Sequence, residues 1–120
     1  QNEVAQQEVR AALQIDPNYA DAYSLLGLIH QRANAPVLAQ QSFEHALQLA
    51  ALPPVRANEF AAIQHNYGWF LCEQNRFSEA QAMFERALTQ PAYANADKTN
   101  KAVVLCSQRA MQANVRQINP

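Results

Sequence analysis

The chain contains two glycines, and the same kinds of residue follow each at the same distances. From Gly27 the steps to Ala39, Phe43 and Ala46 are 12, 16 and 19, and from Gly68 the steps to Ala80, Phe84 and Ala87 are identical. Small and aromatic residues recurring in one order at fixed offsets mark a repeat whose unit is a pair of helices. The physical reason is packing. Where two antiparallel helices approach closely, anything larger than Gly or Ala pushes the backbones apart, and a Phe fills the wider gap beside them. With 49% apolar residues, 2 Gly in 120 and much Ala, Gln and Leu, the chain reads as helix almost throughout. Alternating Val/Ile/Thr runs of the kind a sheet needs are absent, so the expected class is all-α.

The unit has the pattern of a tetratricopeptide repeat, and the expected architecture is one solenoid domain over residues 1–120. Residues 1–17 carry Ala5 and Ala12 in phase with Ala39 and Ala46 and end at Asp16-Pro17-Asn18, so they read as the second helix of an incomplete repeat with an apolar edge left open. Residues 20–52 form a repeat, turned at Asn34-Ala35-Pro36. Gly27 to Gly68 is 41 residues where Gly68 to Ala102 is 34, which places a proline-containing insert at 53–58, with Pro54 able to open a lengthened helix. Residues 59–91 form the second repeat, with Ser78 as N-cap, Gln81 completing a capping box and Pro91 as the stop. Residues 95–120 begin another first helix, Ala96 to Ala110, then lose the pattern from Met111, as a capping element does. With half a repeat at each end, the chain reads as a piece of a longer protein, and the open ends invite self-association.

A net charge of −1, with basic residues scattered singly, offers no footprint for nucleic acid or an anionic membrane, and no apolar run approaches a spanning length. No catalytic constellation, phosphate-cradling loop or metal spacing is present: His30, His45 and His65 fall at different repeat positions and lack an i, i+4 partner, so they are expected at the surface or in a groove. No cofactor is expected. First helices of stacked repeats line a concave groove. Its positions here are Asp21, Ser24, Leu25, Leu28 and Arg32, then Ala62, His65, Asn66, Trp69 and Glu73, then Ala96, Thr99, Asn100 and Val103. Trp69 has the make-up of a binding anchor or of an interhelix filler, while Asn66 and Asn100 offer amides to an extended peptide. Cys72 and Cys106 are also 34 apart, which puts them on neighbouring rods. They read as a staple in an oxidising compartment or as two small apolar fillers in a reducing one.

The stretch His65-Asn66-Tyr67-Gly68-Trp69-Phe70-Leu71-Cys72, followed by Arg76, Glu79-Ala80, Phe84, Ala87-Leu88 and Pro91-Ala92-Tyr93, resembles the type IV pilus biogenesis and stability lipoproteins, the PilW/PilF pilotin group. Asp16-Pro17-Asn18-Tyr19 and the Cys106 region are similar as well, so the likeness covers roughly residues 12 to 110. It implies a tetratricopeptide solenoid on the periplasmic side of the outer membrane, tethered by a lipidated N-terminal Cys, that assists a secretin subunit or another pilus assembly protein. It also implies an oxidising compartment and hence favours the Cys72–Cys106 staple. The rival expectations are a generic tetratricopeptide adaptor of another assembly and a cytoplasmic, co-chaperone-like receptor for peptide C-termini, which needs a cationic groove; only Arg32 and Lys101 lie near.

Overall fold

The structure, a computed structural model, describes residues 2–53 and 56–118, and among these it is entirely helical apart from turns. Six helices follow one another: α1 (Asn2–Ile15), α2 (Ala20–Arg32), α3 (Pro36–Ala50), α4 (Ala57–Glu73), α5 (Phe77–Leu88) and α6 (Ala96–Ile118). The pairs α2/α3 and α4/α5 close as hairpins; α4 packs on α2 and α3, α6 on α4 and α5, and α1 on α2. Two layers result, α2, α4 and α6 in one and α1, α3 and α5 in the other. The odd-numbered helices share one register. They start at Asn2, Pro36 and Phe77, and the alanine pairs Ala5/Ala12, Ala39/Ala46 and Ala80/Ala87 follow at the same distances.

Both hairpin turns use the same device. Asn34 and Asn75 take the left-handed conformation, with φ of 57° and 62°. At the first turn Ala35 N–H donates to His30 O (2.9 Å) and Asn34 N–H to Gln31 O (3.1 Å); at the second, Arg76 donates to Leu71 (2.9 Å) and Asn75 to Cys72 (3.0 Å). This is the Schellman pattern, which satisfies the last carbonyls of a helix while reversing the chain. Asn serves there because its short polar side chain tolerates positive φ better than most.

Four details depart from the sequence expectation. Ser78 is the second residue of α5 and not its cap, because the turn at Asn75 delivers the chain into the helix at Phe77 behind Arg76. The Arg76 guanidinium donates to Glu79 Oε1 (3.1 Å) and Oε2 (2.6 Å) and to Gln40 Oε1 (2.6 Å), tying the entry of α5 to α3; Gln81 donates instead to Glu85, one turn on. The same helix stops at Leu88, ahead of Pro91. The insert is partly helical: α4 starts 11 residues before Gly68 whereas α2 starts 7 before Gly27, so a four-residue turn is added at its head. Pro54, expected to open that lengthened helix, lies outside the described residues, and α4 begins at Ala57 behind Arg56. Finally, α6 does not end near Ala110 but continues unbroken to Ile118.

The core sits between the layers. Phe43, Phe70, Phe84 and Leu71 are all at most 1% exposed, and Phe43 meets the rings of Tyr67 and Phe70 at centroid distances of 5.6 and 5.5 Å. The glycines are what admit these rings. A Cβ on Gly27 would stand 2.8 Å from the Phe43 ring, and one on Gly68 would stand 2.7 Å from Phe84. Both rings are completely buried, so neither has room to move away. Gly68→Ala would gain about 1 kcal/mol of helix propensity, but it inserts that carbon into the ring. Gly68→Val is expected to destabilise by about 1–3 kcal/mol, read as a lower urea midpoint; an unchanged midpoint would break the register on which the layers are built.

Candidate functional site

The layer of α2, α4 and α6 carries every position expected to line the groove, and the structure sorts them by how far each turns from the seam between rods. Ser24, His65 and Thr99 occupy equivalent places and are 3%, 8% and 0% exposed. They are corrected from partner-facing to structural positions, because Ser24 lies in the seam between α2 and α4 and His65 and Thr99 meet in the seam between α4 and α6. Asn66 Nδ2 donates to Ser24 Oγ (3.1 Å), joining α4 to α2. His65 Nδ1 and Thr99 Oγ1 are hydrogen-bonded at 2.8 Å, joining α4 to α6, and the Tyr93 hydroxyl bonds the same Thr99 oxygen at 2.9 Å. Gln31 Nε2 donates to Glu73 Oε1, a second tie between α2 and α4. His65 is therefore not a surface histidine, unlike His45, which is exposed and lies against the Tyr23 ring at 4.0 Å.

One helical step after Gly27, Gly68 and Ala102 stand Leu28, Trp69 and Val103. All three are half-buried and pack against the main core cluster with one side. Trp69 thus fills space beside the core and still presents an edge. This apolar row is flanked by the row Leu25, Asn66 and Asn100, of which Leu25 is 47% exposed, and on the other side by the exposed Arg32 and Glu73. Asp21, Ala62 and Ala96, farther toward the helix starts, are half-buried. A mixed strip of this kind, apolar in the middle and polar at its rims, has the anatomy of a protein-binding surface. Among the described residues no group of three or more His, Cys, Asp or Glu side chains is placed to hold a metal ion, and no helix is long and apolar enough to cross a membrane.

Cys72 and Cys106 are joined in a disulfide, with Cα atoms 5.8 Å apart and both residues buried. The bond fixes α6 against α4 in the same seam as the His65–Thr99 contact, about two turns of helix further along. Two participants were not singled out in the sequence: Gln31, which ties α2 to α4, and Glu59, on the extra turn of α4. Tyr93, quoted there only as part of a motif, ties the loop before α6 to Thr99. Glu59 faces Asp21, whose carboxyl is pushed up to about 6 by burial first, and then by its hydrogen bond with Glu59 and that group's negative charge. The His65 imidazole is pushed down, chiefly by burial and secondarily by Lys98.

These shifts act in opposite senses. Asp21 has its folded value raised above the ordinary 3.8, so its contribution is fully present below that pH and is lost as pH rises through about 6. The contribution of His65, whose folded value is lowered, is present above 6.5 and is lost as pH falls through the folded value. Asp21→Asn, which mimics the protonated acid, should raise stability at pH 7 by roughly 1 kcal/mol after allowing for solvent screening. The gain should vanish by about pH 4, where the wild-type acid is itself protonated; a gain independent of pH would assign it to something other than the carboxyl pair. For the disulfide, thiol titration of the unfolded, unreduced chain should find none. Reduction should lower stability by roughly 3–4 kcal/mol, the loop-closure value for a separation of 34 residues, and an unchanged urea midpoint would deny the bond that role.

Comparison with known proteins gives two relatives. The chain is 32% identical over 106 residues, 88% of its length, to an uncharacterized protein of Haemophilus influenzae, and spans 55% of that protein. It is 37% identical over 78 residues, 65% of its length, to the type IV pilus assembly protein PilF of Pseudomonas aeruginosa, and spans 28% of it. No protein-family model and no solved structure matches the chain. The chain therefore spans about half of one relative and under a third of the other, and over nearly two thirds of its own length it is similar to a pilus assembly protein.

Proposed function

We propose that this chain is a tetratricopeptide-type solenoid segment that binds a partner protein on the α2/α4/α6 face during type IV pilus assembly, with no catalytic step of its own. The observation that carries the reading is the 37% identity to a pilus assembly protein over 78 residues. The face supplies the means: the row Leu28, Trp69 and Val103 is held half-open by the core beneath it, so its side chains are already ordered before a partner arrives. Asn66 has its amide nitrogen engaged with Ser24 and keeps its carbonyl oxygen for an incoming donor, while Asn100 is exposed with both groups. The partner in this reading is a secretin subunit or another pilus assembly protein.

A periplasmic site beside the outer membrane goes with this role. The Cys72–Cys106 bond supports it, since disulfides persist in oxidising compartments and are rare where glutathione keeps thiols reduced.

The test is a binding measurement between the purified chain and a purified secretin subunit from the same organism, with Trp69→Ala beside it. Binding that weakens by about 2 kcal/mol or more in the variant, with its thermal unfolding unchanged, is the expected result for a hot-spot residue. Equal affinity of a well-folded Trp69→Ala would remove the anchor. Absence of binding to secretin and to every other pilus assembly protein would discard the reading.

A further inference from the structure

Where the insert lengthens the step between the two repeats, it also opens a cavity. This space of about 490 Å³ lies between the turn that follows α1 and the turn that follows α3, and Asp16, Asn18, Tyr19, Leu49, Leu52 and Glu59 are among its wall. Ligand pockets run from roughly 300 to 1,000 Å³, so it is large enough to take a side chain from outside. The wall comes from the heads of α2 and α4, the end of α3 and the two turns, and none of it from the outer faces of α1 or α6.

Two chemistries meet there. One part is apolar: Leu49 is half-buried, and Tyr19 and Leu52 remain 41% and 60% exposed. The other part carries the carboxyls of Asp16 and Glu59, and Glu59 in turn faces Asp21 of α2. The added turn of α4 is what brings Glu59 to this place, so the insert builds a like-charge contact into the seam. Two carboxyls in contact repel unless one is protonated or a cation joins them. Among the described residues the one ion pair within 4.0 Å is Arg76–Glu79, so Asp16, Asp21 and Glu59 are answered by no cation, Arg56 just ahead of α4 included. A metal ion does not fit the wall: among the described residues no group of three acidic, His or Cys side chains is placed to hold one, and a bare ion would leave the apolar part wet. An organic cation on an apolar stem satisfies both parts. Arginine satisfies them better than lysine, because a planar, weakly hydrated guanidinium stacks on an aromatic ring while donating to carboxylates in its own plane.

We propose that this cavity docks an arginine side chain of a partner protein, with its stem along Leu49 and Leu52 and its guanidinium on the Tyr19 ring and paired with Glu59. Asp16 is the second acid of the wall and adds to the attraction. The site is separate from the Leu28, Trp69 and Val103 row. It rests on the reading of the chain as a protein-binding segment, because a protein supplies the occupant, and it does not require that protein to be a secretin subunit.

The test is an amide chemical-shift titration of the isotopically labelled chain with the capped tripeptide acetyl-Ala-Arg-Ala-amide, beside the same tripeptide with citrulline or lysine in place of arginine. Citrulline keeps the shape and loses the charge. A single side chain binds weakly, so the titration runs through the millimolar range. The arginine peptide should give saturable shifts centred on Asn18, Tyr19 and Glu59, with the citrulline peptide roughly tenfold weaker and the lysine peptide between them. Glu59→Gln should weaken arginine binding by roughly fivefold or more. Asp16→Asn should weaken it as well, while keeping the oxygen that accepts from Asn18 N–H at 3.1 Å. Tyr19→Leu should erase the preference for arginine over lysine, and circular dichroism melts show that each variant folds. The proposal is overturned by shifts that do not saturate or that spread over acidic residues elsewhere, by equal binding of the citrulline peptide or the lysine peptide, or by a Glu59→Gln chain that binds as well as the wild type. No secretin subunit enters the measurement, so its failure leaves the pilus reading untouched, and a failure to bind secretin leaves this titration untouched.

Discussion

The hairpins of this fold depend on a phenyl ring packed against a backbone that has no side chain. The Gly27–Phe43 and Gly68–Phe84 contacts let two helices approach closely enough for a fully buried ring to fill the remaining gap. That distance fixes where all other residues of the hairpin point. Once Gly68 faces α5, Trp69 is turned by one helical step to the rim of the core, and His65, nearly a full turn earlier, is turned into the seam with α6. The candidate binding row and the interhelix bonds are consequences of one contact repeated.

Much of this was legible because small residues and aromatics cannot be exchanged without changing the spacing between rods. The steps of 12, 16 and 19 residues gave the hairpins, and the step of 34 placed Cys72 and Cys106 on neighbouring rods. The groove was less legible. A first helix has two adjacent faces, one toward the next rod and one toward solvent, and Ser24, His65 and Thr99 differ from Leu25, Asn66 and Asn100 by a single residue. Repeat phase alone does not divide them; burial does. The helix caps fared worst for a different reason. At the head of α5 a side-chain network of Arg76 with Glu79 and Gln40 outweighs the intrinsic preference of Ser78 for an N-cap, and Gln40 comes from 36 residues away.

The insert shows how a repeat absorbs extra sequence. Seven residues are added relative to the 34-residue step. Four are taken up as a further turn of α4, beginning at Ala57, because Ala, Asn, Glu and Phe continue the helix and Phe60 packs against the Ala20, Ala46, Ala50 and Ile63 cluster. That turn brings two polar groups into contact with distant segments. Asn58 Oδ1 accepts from Ala94 N–H at 2.9 Å, clamping the loop before α6, and Glu59 meets Asp21. The loop so clamped contains Ala92 at a φ of 57°, a conformation that costs a residue with a Cβ about 1–2 kcal/mol and is kept only where surrounding contacts demand it. The Tyr93 hydroxyl on Thr99 and the Asn58 bond are two such contacts.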